Sequence, residues 1–441
     1  MIRIGCGAGF SADRLGPACD LVARGRLDVI IFECVGERTL AFGHRDRLAD
    51  PSRGYNALLE RRMRAILPLC RQHGTRLVTN MGAANPRAAA EATVRIAREL
   101  GLGGLKIAYI VGDDVTDTVS PDTPLWEGGT IADVGLKLVG ANAYIGSDAL
   151  LPALQAGADV VIAGRVADPA LVVAPLRHRY GWAEDDWARL GAGTVAGHLL
   201  ECGMQITGGY FADPGRKDVP RLAECGFPIA EIDENGGTVI TKLLEAGGCV
   251  TGRTVKEQLL YEVHDPTRYI TPDVTADFSR VGVEEVGPDR VALSGGTGAP
   301  RPAELKVTVG FDGGFLAEAG ISYAGPNAVA RACLAREVMA DRMAELIGNE
   351  APVRLDLIGV SSLHGTATEY PSDAQDVRLR AALRSTDRDK AEMLLWEVES
   401  LLCCGPAGGG GFRGAITPSV VTYSASIARE KVPTSFEMAA A

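Results

Sequence analysis

The sequence predicts an α/β fold, with a mostly parallel sheet and helices on its faces. Three observations support this class. Short apolar runs alternate with amphipathic stretches over about the first 175 residues, polar side chains directly follow five of these runs, and the pattern changes after residue 300. We favour an open, doubly wound sheet over a (β/α) barrel, because the chain does not contain eight evenly spaced strand–helix units.

The first strands have polar residues at their carboxyl ends. The five predicted strands are Ile2–Gly5, Val29–Phe32, Arg76–Thr79, Ile107–Val111 and Val160–Ala163. In a parallel sheet all these ends lie on one edge, and ligands bind at that edge. The sequence therefore predicts where a site lies before it indicates a reaction.

Helices are expected between these strands. They are predicted at Ala12–Arg26, Tyr55–His73, Pro86–Leu100 and Ser147–Ala156. In the second of them, Met63, Ile66 and Leu67 recur at helical spacing. The third begins with Asn85 as its N-cap and proline at the first helical position.

We expect an α/β core domain at residues 1–295, with an irregular insertion at about 185–295. That insertion contains two predicted helices, Trp187–Gly203 and Thr254–His264. A glycine- and proline-rich stretch, Gly295–Pro302, is typical of a hinge or linker and predicts the domain boundary.

Residues 303–430 are predicted to form an α+β domain. The chain from Leu305 begins with a predicted hairpin, Leu305–Phe311 and Gly314–Tyr323. The order of elements from there contains β-α-β-β-α-β, which predicts a ferredoxin-like arrangement. The remaining predicted elements are the helix Asn327–Ile347, the strands Val353–Ile358 and Val377–Leu383, the helix Lys390–Leu402 and the strand Ile416–Ser426.

Composition limits the classes of function. The chain has 441 residues, is 46% hydrophobic and 23% charged, and carries a formal net charge of −11, which argues against nucleic acid as a partner. Neither a secretory signal nor an apolar run of about 20 residues is recognised, so we expect a cytoplasmic protein without membrane contact. Its ten cysteines are scattered, without CxxC spacing, which is typical of reduced thiols.

Carboxylates and a histidine near the predicted edge are the candidates for proton transfer. Glu33 ends an apolar strand, and partial desolvation would raise its pKa towards neutrality. His198 and Glu201 have the i, i+3 spacing that puts both on one helix face, as an acid/base pair, two metal ligands or a surface pair. The complete set of catalytic candidates is Glu33, Asp114, Asp168, His198 and Glu201.

Other side chains at this edge are candidates for substrate binding. Arg38 and Arg165 are suited to a carboxylate or phosphate, and Asn80 and Asn85 to a carbonyl group. Each also has a structural interpretation, since the arginines can form internal ion pairs and Asn85 can simply cap its helix. The complete set is Gly7, Gly9, Phe10, Arg38, Asn80, Asn85, Arg165 and Tyr210.

No cofactor is predicted. Gly7 and Gly9 follow the first strand, but GxGxxG is incomplete and GK[ST] is missing, which argues against a conventional NAD or ATP site. A divalent metal is disfavoured because HExxH and HxH are missing, although Asp113, Asp114 and Asp117 offer the oxygen ligands of a metal-dependent hydrolase. A thiol nucleophile at Cys6 or Cys34 has no histidine near it in sequence.

Several of these segments together resemble one known family. They are Gly5–Arg14, Ile31–Ala41, Thr79–Pro86, Ala143–Ser147, Asp159–Pro169, Gly197–Pro214 and Thr254–Pro266. They are similar to the acyclic terpene utilisation protein A family, and the resemblance extends at least to Gly411. It implies a role in bacterial catabolism of acyclic terpenes such as citronellol and geraniol, which proceeds through acyl-CoA thioesters. It supplies no catalytic set.

The leading hypothesis is therefore a catabolic hydratase or related lyase. Its small-molecule substrate would be a branched acyl-CoA or carboxylic acid, with Glu33 as the general base and Arg38 and Arg165 holding the acyl or carboxylate group. The alternatives are a non-catalytic binding or scaffold subunit of a pathway complex, and a metal-dependent hydrolase. We expect a homo-oligomer, a dimer or tetramer, because symmetric homo-oligomers are the usual outcome for such enzymes.

Overall fold

A computed structural model describes residues 1–348, 353–365 and 373–439. The chain divides into two compact units. The first consists of Met1–Gly310 together with Thr422–Ala441, and the second of Phe311–Val421. The stretch Gly295–Pro302, where the sequence predicted the domain boundary, lies inside the first unit.

The described residues contain helices and strands with the following bounds. The helices are α1 Gly16–Arg24, α2 Glu37–Ala49, α3 Leu59–His73, α4 Pro86–Glu99, α5 Ser147–Gln155, α6 Ala170–Tyr180, α7 Trp187–Glu201, α8 Gly252–Leu260, α9 Ala328–Ile347 and α10 Arg388–Cys404. The strands are β1 Ile2–Ala8, β2 Val29–Phe32, β3 Arg76–Thr79, β4 Ile107–Val111, β5 Leu138–Ala143, β6 Val160–Ile162, β7 Pro228–Ile232, β8 Thr238–Lys242, β9 Tyr269–Ile270, β10 Thr275–Asp277, β11 Gly282–Gly287, β12 Arg290–Ser294, β13 Thr297–Ala299, β14 Glu304–Ala324, β15 Val353–Ile358, β16 Asp376–Ser385, β17 Gly410–Ala428 and β18 Ser435–Ala439.

The first unit is built on a ten-stranded sheet in the order β11-β12-β8-β7-β1-β2-β3-β6-β4-β18. The block β1-β2-β3-β6-β4 is parallel throughout. These are the five strands whose carboxyl ends carry the polar residues noted in the sequence. Strands β2 and β6 are buried along their whole length, as expected for parallel strands covered on both faces.

The other five strands of this sheet pair antiparallel, so the prediction of a mostly parallel sheet was wrong for the sheet as a whole. Four of them, β7, β8, β11 and β12, come from the region that the sequence suggested was an irregular insertion. They are short, and within each of the pairs β7–β8 and β11–β12 no helix separates the strands and marks their positions. The strand order ends at β11 and β18 and does not close into a barrel within the described residues.

Helices α1, α3 and α4 cover one face of the parallel block with a continuous apolar core. Leu21, Met63 and Ile96 are completely buried in it. Asn85 caps α4 as predicted, by accepting a hydrogen bond from the backbone N–H of Ala88 at 3.2 Å. Helix α2 was not predicted, because its sequence is polar. Only four of its residues are buried, namely Leu40, Ala41, Gly43 and His44. All helices in the described part of the chain are too short or too polar to cross a membrane.

A five-stranded sheet contains β15-β16-β14-β17 in this order and β5, which also pairs with β14. Helices α9 and α10 follow β14 and β16 in sequence. The core of the second unit contains Met339, Leu379 and Leu394. The assignment to the ferredoxin-like class stays a prediction.

The predicted hairpin between Leu305 and Tyr323 was wrong. The chain forms one strand of 21 residues instead. Gly314 has a φ of 72°, and its N–H bonds to the Asp312 side chain at 3.0 Å, which interrupts the pleat without reversing the chain. A β-carbon at Gly314 would lie 2.5 Å from the Ser385 carbonyl oxygen, so glycine is needed at this close approach.

Replacing Leu21 with alanine should lower the free energy of unfolding by about 2–5 kcal/mol, because a fully buried side chain leaves a cavity between α1 and β1. Leu48→Ala is the control, since Leu48 is 59% exposed, and it should change stability by less than about 0.5 kcal/mol. Urea unfolding of both variants measures this. Equal losses would contradict the described core.

Candidate functional site

A cavity of about 610 Å³ opens at the carboxyl ends of the parallel strands of the first unit. The turn after β1, the end of β2, the turn after β6 and the last residue of α7 contribute to it. Its lining residues are Gly9, Phe10, Asp13, Glu33, Val35, Gly36, Glu37, Tyr144, Arg165, Asp168, Glu201, Cys202, Met204, Gln205, Gly209, Tyr210, Tyr261, Glu262 and Lys306.

The cavity brings together part of the predicted site. The candidates that line it are Gly9, Phe10, Glu33, Arg165, Asp168, Glu201 and Tyr210. The candidates that are not among its lining residues are Gly7, Arg38, Asn80, Asn85, Asp114 and His198.

Glu33 lies just beyond β2 and is held from two sides. Its Oε1 accepts hydrogen bonds from the N–H of Val35 at 2.8 Å and from Nδ2 of Asn80 at 3.0 Å. Asn80 is buried, and its Oδ1 also accepts from the Cys34 N–H at 2.7 Å, so this amide positions Glu33 and is not a substrate ligand. Burial, followed by the negative charge of Asp168, raises the pKa of Glu33 to about 8.

Arg165 has its guanidinium occupied by the protein. The side chain is 1% exposed and donates to the carbonyl oxygens of Val35 and Val166 and to the Asp168 carboxylate. It also lies 4.2 Å from the centre of the Tyr144 ring. These partners use most of the donors of Arg165, and its role in holding a substrate carboxylate stays a prediction.

Asp168 is the other member of this ion pair. Its side chain is 33% exposed, and it lines the cavity. Burial raises the pKa of Asp168 above its ordinary value, although the charge of Arg165 opposes the rise. Two neighbouring carboxyl groups, those of Glu33 and Asp168, thus hold protons more tightly than isolated carboxylates do.

His198 lies behind Glu201 and fixes the position of its proton. His198 Nε2 is 3.0 Å from the carbonyl oxygen of Gln258, which can only accept, so Nε2 carries a hydrogen. Burial lowers the pKa of His198 to about 4, which leaves the ring neutral and Nδ1 an acceptor. The contact of 2.9 Å between Nδ1 and Glu201 Oε1 then requires a protonated Glu201.

Glu201 is accordingly a buried carboxylic acid. Burial, followed by the charges of Asp168 and Glu262, raises its pKa well above the ordinary value. Its Oε2 is buried and has no hydrogen-bond partner in the described protein. Tyr269 and Phe278 pack around the His198 ring with centroid distances of 5.2 and 5.4 Å and exclude water from the pair.

The sequence reasoning missed one ion pair on the cavity wall, between Glu37 and Lys306. Glu37 accepts hydrogen bonds from Tyr144 and from Lys306, whose Nζ lies 3.0 Å away. Burial alone would raise the pKa of Glu37, but these two partners lower it to about 2. Lys306 was missed because it is distant in sequence from the ends of the parallel strands. Glu37 could have been found from the sequence, because it lies only four residues after Glu33.

The acidic residues after β4 bond to neighbouring parts of the protein. Asp113 is buried and accepts from the Arg165 N–H at 2.7 Å and from Asn142 at 2.8 Å, so it holds the turn after β6. Asp114 forms an ion pair with Arg47 at 2.7 Å and is not among the residues that line the cavity, and its catalytic role stays a prediction. The described residues contain no group of three or more acidic, histidine or cysteine side chains arranged to hold a metal ion.

The remaining candidates have structural surroundings. Arg38 is exposed on α2 and stacks on Phe42, with 5.5 Å from its guanidinium carbon to the ring centre. Asn85 caps α4 and donates to the carbonyl oxygens of Pro51 and Arg53. A β-carbon at Gly7 would lie 2.7 Å from the Phe32 ring, so this glycine serves packing.

Gly9 has a different reason to be glycine. A β-carbon there would lie 2.3 Å from the carbonyl oxygen of Glu201 and 2.4 Å from the Gly203 nitrogen. The turn after β1 therefore touches the end of α7 directly. Phe10 and Tyr210 are 62% and 85% exposed and form the rim of the cavity.

The thiols near this edge are poorly suited to nucleophilic attack. Cys6 and Cys34 are fully buried, and burial raises the pKa of both thiols, which disfavours the reactive thiolate. The same holds for Cys202 on the cavity wall, because burial and the neighbouring Glu201 raise its pKa.

The cavity wall is acidic. Among the described residues it carries six carboxyl groups, from Asp13, Glu33, Glu37, Asp168, Glu201 and Glu262, and two cationic groups, from Arg165 and Lys306. Both cations are paired, with Asp168 and Glu37 respectively. This balance favours a ligand whose buried part is neutral or carries a single carbonyl or carboxylate group over one with several buried phosphates.

Comparison with models of protein families identifies the family of this chain. The family model for acyclic terpene utilisation family protein AtuA matches residues 2–438, which is nearly the whole chain. The chain belongs to this family. The family description associates its members with acyclic terpene utilisation, a catabolic role. No curated protein and no solved structure matches the chain.

The raised pKa of Glu33 has a consequence for stability. In the unfolded chain a glutamate loses its proton near pH 4.5, whereas in the folded protein Glu33 keeps it to about pH 8. The folded state binds more protons between these values, so the free energy of unfolding should fall as pH rises, by up to about 1.4 kcal/mol per pH unit. Glu33→Gln should flatten this dependence in urea unfolding between pH 5 and 8.

Glu37→Gln is the matched control for this measurement. Glu37 has a pKa of about 2 when folded and is ionised in both states above pH 5, so its removal should lower stability by a constant amount and leave the slope unchanged. A slope that Glu33→Gln leaves intact would contradict the protonated state assigned to Glu33.

Proposed function

We propose that the protein is a catabolic hydratase or related lyase that acts on a branched, acyclic carboxylic acid or its CoA thioester. The observation that carries this proposal is the meeting of Glu33, Asp168 and Glu201 on one cavity wall, with all three pKa values raised. Addition of water to a double bond needs one group that accepts a proton and another that donates one.

Glu33 is suited to be the general base. With a pKa of about 8 its carboxylate is a much stronger base than an ordinary one, and the ionised fraction that can accept a proton grows as pH rises towards 8. Its Oε1 is held by two hydrogen bonds, which fix the carboxyl group at the cavity wall. As base, Glu33 takes a proton from water while the oxygen bonds to the β-carbon of the substrate.

Glu201 is suited to be the general acid. His198 keeps it protonated by accepting its hydrogen at Nδ1, and Glu201 Oε2 has no partner within the described protein. As acid, Glu201 would turn this hydrogen from His198 Nδ1 to the substrate, and the α-carbon would gain it as a proton when the electrons of the double bond move there, leaving Glu201 as a carboxylate. Asp168, tied to Arg165, lies on the same wall and can relay protons between solvent and Glu201.

Lys306 replaces the two arginines in the role of holding the substrate carbonyl. An ammonium group has three donors, and one of them bonds to Glu37. The Lys306 side chain is 34% exposed and lines the cavity, so its other donors can reach a carbonyl oxygen there. Its positive charge would stabilise the negative charge that develops on that oxygen during the reaction.

Deuterium incorporation tests this proposal directly. The purified protein is incubated in D₂O with 3,7-dimethyloct-2-enoyl-CoA or the free acid, and the products are analysed by mass spectrometry. A gain of water, or deuterium at the α-carbon, is the expected result for one of the two. If neither change occurs with either compound, the hydratase proposal fails and stable association with another catabolic enzyme would favour a binding subunit.

Glu33→Gln should lower kcat about 10²- to 10⁴-fold, because the amide keeps the shape of the side chain but cannot accept the proton. Binding of the saturated analogue should be unchanged. Glu284→Gln on β11 is the control, since this carboxylate is exposed and outside the cavity wall, and it should keep full activity. Full activity of Glu33→Gln would remove Glu33 from the mechanism.

A further inference from the structure

A second, smaller cavity of about 210 Å³ lies beside the first in the same unit. Tyr144, Asp168 and Lys306 line both cavities, so the two meet at these side chains. The groups proposed to hold a carbonyl and relay protons therefore stand at the entrance of the second cavity.

The second cavity is apolar beyond this entrance. The apolar residues of its wall are Ala167, Pro169, Ile270, Pro272, Pro302 and Leu305. Its other charged lining residue is Glu304, which is exposed. The first cavity, by contrast, carries six carboxyl groups. A molecule that fills both must have a polar head and a hydrocarbon tail.

The walls of this cavity are fixed by the fold. Arg429 donates to the carbonyl oxygens of Pro272 and Pro302 and so ties two of its walls together. Tyr269 stacks on Phe278 with 4.8 Å between ring centres. A ligand chain that enters such a preformed cavity does not have to order the protein around it, which favours binding.

The volume sets the size of the tail. A water molecule occupies about 30 Å³ in the liquid, and a methylene or methyl group needs a similar space, so 210 Å³ accommodates roughly seven carbon atoms.

We propose that the second cavity binds the hydrocarbon tail of the substrate, with the head group at Lys306 and Asp168 and the tail running past Ile270. This proposal rests on the proposed function for the nature of the head group. It adds the selection rule, which is the length of the tail.

Binding of unreactive saturated probes tests the tail site without any turnover. The probes are 3,7-dimethyloctanoic acid and butanoic acid, each also as its CoA thioester, and the dissociation constants come from titration calorimetry. Each carbon that leaves water should strengthen binding about fourfold, so the long probe should bind at least 30-fold more tightly than the short one with the same head group. Equal affinities, or binding of none of the probes, would overturn the proposal.

Ile270→Trp fills the tail site and should weaken the long probe at least tenfold while leaving the short probe within twofold. Ile270 is 52% exposed, so the larger ring does not have to fit into a closed core. Val286→Trp on β11 is the matched control, because Val286 is also a half-exposed aliphatic residue of a strand, 50% exposed, and is outside both cavities. Both probes should bind this control as they bind the unmodified protein.

Ile270→Ala provides a second variant if the tryptophan prevents folding, and it should weaken the long probe about threefold to tenfold without affecting the short one. Equal weakening of the binding of both probes would overturn the tail site.

The binding and turnover experiments together separate the two proposals. Chain-selective binding without any hydration or deuterium exchange would retain the tail site and reject the hydratase, whereas turnover without chain selectivity would do the opposite.

Discussion

The structure of the site depends on one buried cation, the Arg165 guanidinium. It joins the turn after β2, through the Val35 carbonyl, to the turn after β6, through Asp168, and it rests on the Tyr144 ring. A buried charge is costly unless it is paired and fully hydrogen-bonded, and here the paired partners are themselves parts of the cavity wall. The position of Asp168 on the cavity wall therefore follows from the requirement to satisfy this arginine.

The same pairing leaves the cavity with more carboxyl groups than positive charge. Like charges in a poorly hydrated space cannot all ionise, so some of the carboxyl groups keep their protons. Around Glu33 the excess is shared with Asp168, and around Glu201 the neutral His198 ring holds the proton in place. The retention of protons is thus shared by several carboxyl groups of the wall.

The sequence alone predicted the five parallel strands and most of the helices, because local apolar runs mark them. It also predicted seven of the residues that line the cavity, chiefly from the rule that parallel strands end at one edge of the sheet. It was not sufficient for β7, β8, β11 and β12, whose pairing partners are remote. Nor did it separate Asn80, which positions Glu33, from a ligand, or Arg165 from a free cation. Those distinctions depend on which hydrogen-bond partners the fold supplies. Lys306 comes from a strand start far along the chain and had no local signal.

The first unit is interrupted in sequence by the second, and this affects its synthesis. Strand β4 pairs on one side with β18, which is made only after residues 112–434. Until then, the growing chain on the ribosome has an open sheet edge at an apolar strand, and such edges recruit other strands. A chain that ends before Ser435 would keep this edge open permanently. The last strand, remote from the cavity, is therefore expected to decide whether the protein accumulates in soluble form.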